Sequence, residues 1–270
     1  MFSSHQPRLK KRFGQHLMIS PEIIEEIVEN ANIQPTTRVI EIGPGTGLLT
    51  DVLITKSRQV QSIEIDEDMV VYLNNRYRNK DNIEIIKGDI LQIDMANVSK
   101  GEPYVVVANL PYSSGSKIIR YLLESPHSPE RMVVTLQKEV ASNLTAEKGK
   151  ESLLSIAVGI YATVKLVRII KPEHFDPPPK VDSAVVNIVR RAQPLIPTGE
   201  IPDLFKYVRA GFSSKRKQLR NSLASNLRIS PELMLESLLA AQIDPRRRPE
   251  TITISEWHKL MKIHGNLDND

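Results

Sequence analysis

The feature that most constrains the fold is a glycine-rich turn between a short apolar segment and a segment that favours a helix. Residues 38–42 are typical of a buried strand, and residues 48–53 are typical of a helix. Between them lies Gly43-Pro44-Gly45-Thr46-Gly47. Glycines let a ligand approach the backbone closely, and the start of a helix offers unpaired N–H groups. The pattern predicts the first strand–loop–helix unit of a nucleotide-binding α/β sheet.

The rest of the chain predicts two domains. Strand patterns near residues 38–42, 60–64, 83–87, 104–108 and 131–136 alternate with helical stretches such as 21–30, which indicates a parallel sheet with helices on both faces. Residues 156–170 and 181–189 are rich in β-branched residues and predict an antiparallel pair at the sheet edge. Residues 194–199 resemble a linker. Beyond them the pattern is helical, with Ser230 opening one helix and Ser255 capping the last. We therefore expect an α/β domain over 1–193 and a small all-helical domain over 200–270.

Two acidic residues follow predicted strands. Glu64 ends the second strand, at about the distance from the glycines at which an acidic residue reaches ribose hydroxyls. Asp89 and Ile90 follow the third strand, where they would hold an adenine amino group and its ring. The Gly-x-Gly-x-Gly spacing differs from the Gly-x-Gly-x-x-Gly spacing of dinucleotide-binding proteins. The sequence therefore predicts a site for a nucleotide cofactor. An NAD-dependent dehydrogenase is the main alternative for the class of enzyme.

The next apolar run, residues 104–108, ends in Asn109-Leu110-Pro111-Tyr112. The end of a buried strand delivers such a loop to the ligand crevice of an α/β sheet. An exocyclic amine is a poor nucleophile, and the Asn109 side-chain oxygen and the Leu110 carbonyl could accept hydrogen bonds from it. Tyr112 could stack on the base. The alternative for this segment is an ordinary polar turn. An NAD-dependent dehydrogenase would offer no role for the loop.

These motifs together resemble the S-adenosylmethionine site of class I methyltransferases. The chain is similar, over nearly its whole length, to the small-subunit ribosomal RNA adenine N6,N6-dimethyltransferase family. Three further segments carry the resemblance: residues 13–16, 175–183 and 212–221. The one departure noted is Leu17-Met18, where the family usually has Phe-Leu, and both pairs are apolar.

The resemblance implies a Rossmann-like class I methyltransferase sheet with a helical C-terminal domain, and S-adenosyl-L-methionine as cofactor. The implied reaction is dimethylation of adenine N6 in two adjacent adenosines of small-subunit (16S) rRNA, with a role in small-subunit biogenesis. The catalytic residues would be Asn109, Leu110, Tyr112 and Phe175, with the target adenine between Tyr112 and Phe175. The cofactor-binding residues would be Gln15, His16, Met18, Gly43, Gly45, Glu64, Ile65, Asp89, Ile90 and Asn109.

Positive charge is concentrated at the two ends of the chain. The net charge is only +4, yet residues 205–270 hold 12 basic and 7 acidic residues. Phosphate binding is a natural use of such patches, although an isolated run is more often a solvated surface. Beside the predicted catalytic domain they favour RNA binding by Arg8, Lys10, Lys11, Arg12, Lys215, Arg216, Lys217, Arg220, Arg246, Arg247 and Arg248.

Composition bears on metal binding and on the place of the protein in the cell. The chain has no cysteine, and its 6 histidines show no ligand spacing, so we expect no metal. It shows neither a membrane span nor a signal-peptide segment. The expectation is a cytoplasmic monomer whose partner is the small ribosomal subunit.

Two further alternatives stay open at this point. One is a large-subunit rRNA adenine methylase that confers antibiotic resistance, which shares the catalytic residues but usually not the segment 212–221. The other is a non-enzymatic RNA-binding assembly or transcription factor on the same fold, against which the intact loop at Asn109 and the acid at Glu64 argue.

Overall fold

The structure is a computed structural model that describes residues 16–145, 149–214 and 217–267. Contacts divide the chain into two compact units. The first contains the described residues up to Ala141 together with Thr163–Arg190, and the second contains Ser142–Ala162 and the described residues from Arg191 onward.

The first unit is built on a seven-stranded sheet. The strands of the chain are β1 (Leu17–Met18), β2 (Arg38–Ile42), β3 (Gln59–Glu64), β4 (Ile83–Lys87), β5 (Val105–Asn109), β6 (Arg131–Gln137), β7 (Ala162–Ile170), β8 (Phe175–Asp176) and β9 (Ser183–Arg190). Their order in the large sheet is β4-β3-β2-β5-β6-β9-β7. Strands β2 to β6 pair in parallel, and β9 pairs antiparallel with β6. The order reverses beside β2, so a crevice is expected at the carboxyl ends of β2 and β5.

Helices connect the parallel strands. They are α1 (Pro21–Asn30), α2 (Leu48–Lys56), α3 (Glu67–Arg76), α4 (Met95–Ser99) and α5 (Gly115–Glu124), with α6 (Lys138–Leu144) following β6 in the chain. Pro21 begins α1 as predicted, because proline lacks the N–H that a first helical residue would leave unpaired. The apolar stripe of α1, including Ile24 and Ile27, packs with Val39 and Val107 on one face of the sheet.

The segment 156–170 differs from the sequence-based prediction of one long strand. Its first part lies in a helix, α7 (Leu153–Tyr161), and β7 begins only at Ala162. The reason is local: Ser152 forms a capping box with Ser155, which begins a helix despite the β-branched residues that follow. The Thr163 hydroxyl donates to the Val189 carbonyl at 3.5 Å, so β7 starts beside the end of β9 and the predicted edge pair is antiparallel.

The second unit is helical and has its own core. Besides α7 it contains α8 (Ile201–Phe212), α9 (Leu219–Leu227), α10 (Pro231–Ala240) and α11 (Ile254–Leu267). Trp257 is fully buried among apolar residues from these helices, including Leu204 and Leu238. A Cβ at Gly211 would come within 2.4 Å of the Trp257 ring, so glycine permits this close packing.

Two boundaries in the second unit need correction. The predicted division at residues 193–200 omits residues 142–162, which contacts assign to the helical unit because Ile156 and Ile160 of α7 belong to its core. Ser255 does not cap α11. Thr253 does, since its hydroxyl accepts from the Glu256 N–H and the Glu256 carboxylate accepts from the Thr253 N–H. Among the described helices, none is both long and apolar enough to cross a membrane.

Candidate active site

The carboxyl ends of four parallel strands surround a cavity of about 230 Å³. It lies in the first unit, where the crevice of an open α/β sheet is expected. The residues that follow each strand line it, together with His16 from the segment before β1. The predicted site residues among them are Gly43 and Gly45 after β2, Glu64 and Ile65 at β3, Asp89 and Ile90 after β4, and Asn109, Leu110 and Tyr112 at β5.

The glycine loop brings the backbone to the edge of this cavity. Gly43 and Gly45 adopt φ angles of +67° and +56°, in the left-handed region where side chains are strained. A Cβ at Gly45 would also lie 2.5 Å from the Leu17 Cδ2 atom. Glycine is thus favoured at both positions by its φ angle and at Gly45 also by the space available, and a ligand in the cavity can lie directly against the main chain.

Glu64 presents a buried carboxylate to the same cavity. Its side chain is only 2% exposed, and Oε1 accepts the Asp66 N–H at 2.8 Å. Oε2 is buried and has no hydrogen-bond partner within the described part of the chain. Burial raises the pKa of Glu64, although backbone N–H donors partly offset this. An unpaired buried acceptor is costly, and a ligand hydroxyl would satisfy it.

The loop after β4 combines one acceptor with apolar surface. Asp89 Oδ1 accepts the Leu91 N–H at 3.0 Å, which holds the carboxylate at the start of a short helical turn. Ile90 is buried, while Ile65, which also lines the cavity, is 47% exposed. A flat ring bounded by these two isoleucines would have a carboxylate beside it.

The loop at Asn109 supplies hydrogen-bond acceptors to the cavity. Asn109 Nδ2 donates to the His16 carbonyl at 2.7 Å, which orients the amide, while Oδ1 is buried without a partner among the described residues. The Leu110 N–H donates to the Thr135 carbonyl at 3.2 Å. The amide oxygen is thus positioned by contacts that leave it free to accept.

Tyr112 is held by two neighbours. Its hydroxyl bonds to the Ser183 hydroxyl, and its ring stacks on His16 with centroids 5.2 Å apart and planes 28° apart. His16 Nδ1 lies 2.7 Å from the Pro177 carbonyl. Burial raises the pKa of Tyr112, so the phenol stays neutral. Ser183 was not assigned a role from the sequence, because only the pairing of β9 beside β6 brings it to this loop.

The structure corrects two predicted neighbours of the ligand. Phe175 is 2% exposed, pairs with Met18 across the two-stranded β1–β8 sheet, and packs in the core with α1 residues. It does not line the cavity, so the predicted placement of an adenine between Tyr112 and Phe175 is wrong for Phe175. Met18 is also buried and lines a smaller adjacent cavity instead. Gln15 lies outside the described residues.

Tyr77 is a further residue that the sequence did not indicate. Its hydroxyl donates to the Gly47 carbonyl at 2.9 Å and lies 2.8 Å from Asp51 Oδ1. Arg76 contacts the same hydroxyl at 3.3 Å. Tyr77 therefore supports the glycine loop from behind, although 30 residues of chain separate the two and no local pattern links them.

The predicted basic cluster of the helical unit is only partly available. Arg247 binds Glu256 at 2.5 Å and also the carbonyl and hydroxyl of Thr251, so it stabilises the start of α11, and its contact with RNA stays a prediction. Arg246 makes a two-point ion pair with Asp244, at 3.1 and 3.0 Å.

Other predicted RNA contacts are exposed or lie outside the described residues. Lys217 and Arg248 are exposed. Arg220 is half-buried, with its Nε 3.3 Å from the Asn221 side-chain oxygen. The remaining predicted contacts, which the structure does not describe, are Arg8, Lys10, Lys11, Arg12, Lys215 and Arg216. Within the described ranges, no three His, Cys, Asp or Glu side chains gather as a metal site would require.

Comparison with known proteins identifies similar sequences along nearly the whole chain. The model of the family described as Ribosomal RNA adenine dimethylase matches residues 6–265. Ribosomal RNA small subunit methyltransferase A of Dehalococcoides mccartyi is 39% identical over 268 residues, covering 98% of this chain and 92% of that protein. The protein of the same name from Alkaliphilus metalliredigens is 38% identical and covers 94% and 91%.

Solved structures agree on the architecture. A dimethyladenosine transferase from Plasmodium falciparum superposes with a TM-score of 0.77 and 26% identity, covering 91% of this chain and 96% of that one. The 23S rRNA methyltransferase ErmE superposes with a TM-score of 0.74 and 28% identity, covering 92% and 99%. The predicted class I methyltransferase fold with a helical C-terminal part is confirmed.

Proposed function

Because this chain belongs to the ribosomal RNA adenine dimethylase family, we propose that it dimethylates N6 of two adjacent adenosines in small-subunit (16S) rRNA and serves small-subunit biogenesis. S-adenosylmethionine is the methyl donor. The observation that carries the proposal is the cavity at the strand ends, which is lined by an amide oxygen and a carboxylate oxygen that have no partner among residues 16–145, 149–214 and 217–267. A protein that only bound RNA would have no use for this arrangement.

The residues present fit the cofactor. Gly43 and Gly45 let it lie against the backbone, since both line the cavity and present no side chain to it. The unpaired Oε2 of Glu64 suits a ribose hydroxyl, and a hydrogen bond to a charged acceptor contributes roughly 1.5–3 kcal/mol. Asp89 and Ile90 suit an adenine amino group and ring, and Ile65 adds apolar surface to the same cavity. His16 also lines this cavity.

The residues of the loop at Asn109 would act on the target amine. When bound, the cofactor supplies a methyl group on a positively charged sulfur that needs no further activation. The Asn109 Oδ1 atom and the Leu110 carbonyl accept the amine hydrogens, which directs the nitrogen lone pair toward the methyl group. Preorganised acceptors of this kind typically change a rate by about 10²–10³. After transfer the nitrogen releases one proton, and the second round requires only one remaining N–H.

Tyr112 would hold the base by stacking. Its hydroxyl bond to Ser183 fixes the ring, and stacking of one base on an aromatic side chain contributes roughly 1–3 kcal/mol. That range is comparable to the few kcal/mol needed to unstack an adenine from a helix. An adenine in a loop requires less, so such a site suits an unpaired substrate.

The helical unit would supply part of the RNA affinity. Lys217 and Arg248 are exposed, and Arg220 is half-buried with its guanidinium near one neighbouring amide. Such groups bind phosphates and make affinity depend on salt. The N-terminal cluster from Arg8 to Arg12 is a second candidate contact. We place the protein in the cytoplasm as a monomer that works on the small ribosomal subunit.

A large-subunit methylase is the alternative that the fold itself permits, since the ErmE structure covers nearly the same architecture. Sequence favours the small subunit. The relatives named as small-subunit enzymes are 36–40% identical, whereas ErmE is 28% identical.

The decisive experiment offers the purified protein both ribosomal subunits. Unmethylated small and large subunits are incubated separately with labelled S-adenosylmethionine, and the modified nucleotides are located by mass mapping. We expect dimethyladenosine in small-subunit RNA alone, and none with the matched Asn109→Ala variant. Label in the large subunit would favour the alternative, and the absence of label in both would contradict the proposed activity.

A further inference from the structure

Glu41 is a buried acidic residue for which the sequence suggested no defined role. It occupies β2 opposite Val107 of β5, and partners in neighbouring strands point to the same face of the sheet. Asn109 follows Val107 by two residues and therefore shares that face. The side chains of Glu41 and Asn109 thus lie behind the glycine loop on the side that α1 and α2 cover.

The two carboxylate oxygens of Glu41 have different surroundings. Oε2 accepts hydrogen bonds from the hydroxyls of Thr50 and Ser62, both at 2.7 Å. Oε1 is buried and has no partner in the described part of the chain, and the residue as a whole is 1% exposed. Leaving a buried acceptor unpaired costs roughly 1–3 kcal/mol. Structural anchoring uses Oε2 alone, so Oε1 is available for another contact.

A small cavity meets both residues. Its volume is about 30 Å³, and Glu41, Gly43, Thr46 and Asn109 line it along with apolar side chains. A site of at least roughly 10–15 Å³ with two or more polar partners can hold a buried water. Glu41 Oε1 and Asn109 Oδ1 are both unpaired acceptors among the described residues. A water molecule has two hydrogens, one for each.

We propose that Glu41 is a positioning residue that holds the Asn109 amide through one buried water, which donates to Glu41 Oε1 and Asn109 Oδ1. The amide oxygen has two lone pairs, so it can accept from this water and from the target amine together. The Nδ2 bond to His16 orients the other end of the amide. This inference rests on the proposed function, since it assigns Glu41 to the same reaction.

Substitutions distinguish the contact of Glu41 with the water from its hydrogen bonds to Thr50 and Ser62. Glu41→Gln keeps an oxygen for Thr50 and Ser62 and offers an N–H to the water, so it should retain kcat within about threefold. Glu41→Leu removes the water's partner, and we expect kcat to fall about tenfold at saturating RNA and cofactor. The control Thr50→Val/Ser62→Ala removes the bonds to Oε2 only. It should lower the melting temperature and leave kcat unchanged.

A double-mutant cycle distinguishes positioning from structural support. In an Asn109→Ala background, Glu41→Leu should produce no further loss in single-turnover rate, because it acts only through the missing amide. Titration calorimetry should show unchanged S-adenosylmethionine affinity for the Glu41 variants. An additive loss in the cycle, an unchanged kcat for folded Glu41→Leu, or weakened cofactor binding would each overturn the proposal.

A crystal structure of the wild-type protein with S-adenosylmethionine provides a test that needs neither folding of the variants nor activity. We expect one ordered water within hydrogen-bond distance, about 3.2 Å, of both Glu41 Oε1 and Asn109 Oδ1. Direct contact of Glu41 with the cofactor, or an unfilled cavity, would contradict it. Wild-type protein that methylates neither subunit would refute the proposed function and leave this test in force.

Discussion

The predicted ligand-binding groups at the strand ends of the first unit differ from two predicted RNA-binding arginines in the loop between α10 and α11 of the second. At the strand ends, Glu64 is buried and Asn109 is partly buried, and each keeps one buried oxygen without a partner among the described residues. In the loop, Arg246 and Arg247 are bound by Asp244 and Glu256 of the same unit. A buried group that lacks a partner among the described residues and also lines a cavity marks a site for a ligand. A surplus of charge does not, because neighbouring carboxylates can neutralise it.

The largest expected effect tests the strand-end half of this contrast. Asn109→Ala should lower the single-turnover methylation rate about 10²–10³-fold, because it removes a preorganised acceptor at the reacting amine. RNA affinity, measured by filter binding, should change little. A near-normal rate would mean that the unpaired oxygen is not reserved for the substrate, and the contrast would fail at its strongest point.

A second change tests the cofactor side of the same cavity. Glu64→Ala should weaken S-adenosylmethionine binding about 10- to 150-fold, since a hydrogen bond to a charged acceptor contributes roughly 1.5–3 kcal/mol. Titration calorimetry measures this, and circular dichroism checks the fold. The matched control is Glu67→Ala, because Glu67 is exposed and does not line the cavity. Equal affinities for the two variants would remove Glu64 from the site.

The pH dependence of stability tests the cost of burial itself. Burial raises the pKa of Glu41 from 4.5 to about 7, with hydroxyl hydrogen bonds opposing the shift. The folded protein therefore binds this proton more tightly than the unfolded chain, and Glu41 lowers the free energy of unfolding as pH rises from about 4.5 to about 7. Glu41→Gln should remove this slope and be more stable than wild type above pH 7, by on the order of 1–3 kcal/mol.

Chemical denaturation at a series of pH values measures this difference. The exposed Glu67→Gln serves as the control and should retain the wild-type slope. If Glu41→Gln has the same pH profile as wild type, the buried carboxyl does not titrate in this range.

The smallest expected effect concerns the arginines in the loop between α10 and α11. Arg247→Ala should lower the free energy of unfolding by about 1 kcal/mol, because it loses its bonds to Glu256 and Thr251 in a partly exposed site. Its neighbour Arg248 is exposed, so Arg248→Ala should leave stability unchanged and reduce the salt dependence of RNA binding by about 0.7–0.9 in slope. Thermal melts and salt titrations compare the two variants directly. Reversed outcomes would show that the ion pair does not decide which arginine meets RNA.

Sequence-based predictions were accurate at the strand ends and less accurate where the surroundings of a residue depend on tertiary contacts. The glycine loop, Glu64, Asp89 and Asn109 could all be placed at one cavity, because parallel strands present their carboxyl ends at the same edge whatever the details of packing. Phe175 could not, because its burial depends on pairing with Met18 across 157 residues of chain. The helix at Leu153–Tyr161 was mistaken for strand, since the capping box at Ser152 outweighed β-branched composition there.

The sequence by itself determined the parallel strands β2 to β6, the family, and the residues at the strand ends, because those depend on local patterns of apolar residues and glycines. The tertiary structure decided which polar groups have partners. Whether Arg247 meets Glu256, Tyr77 supports Gly47, or Glu41 shares a cavity with Asn109 depends on contacts between different elements of the fold. A hydrogen bond forms only within about an ångström of its ideal length, and sequence patterns do not resolve position that finely.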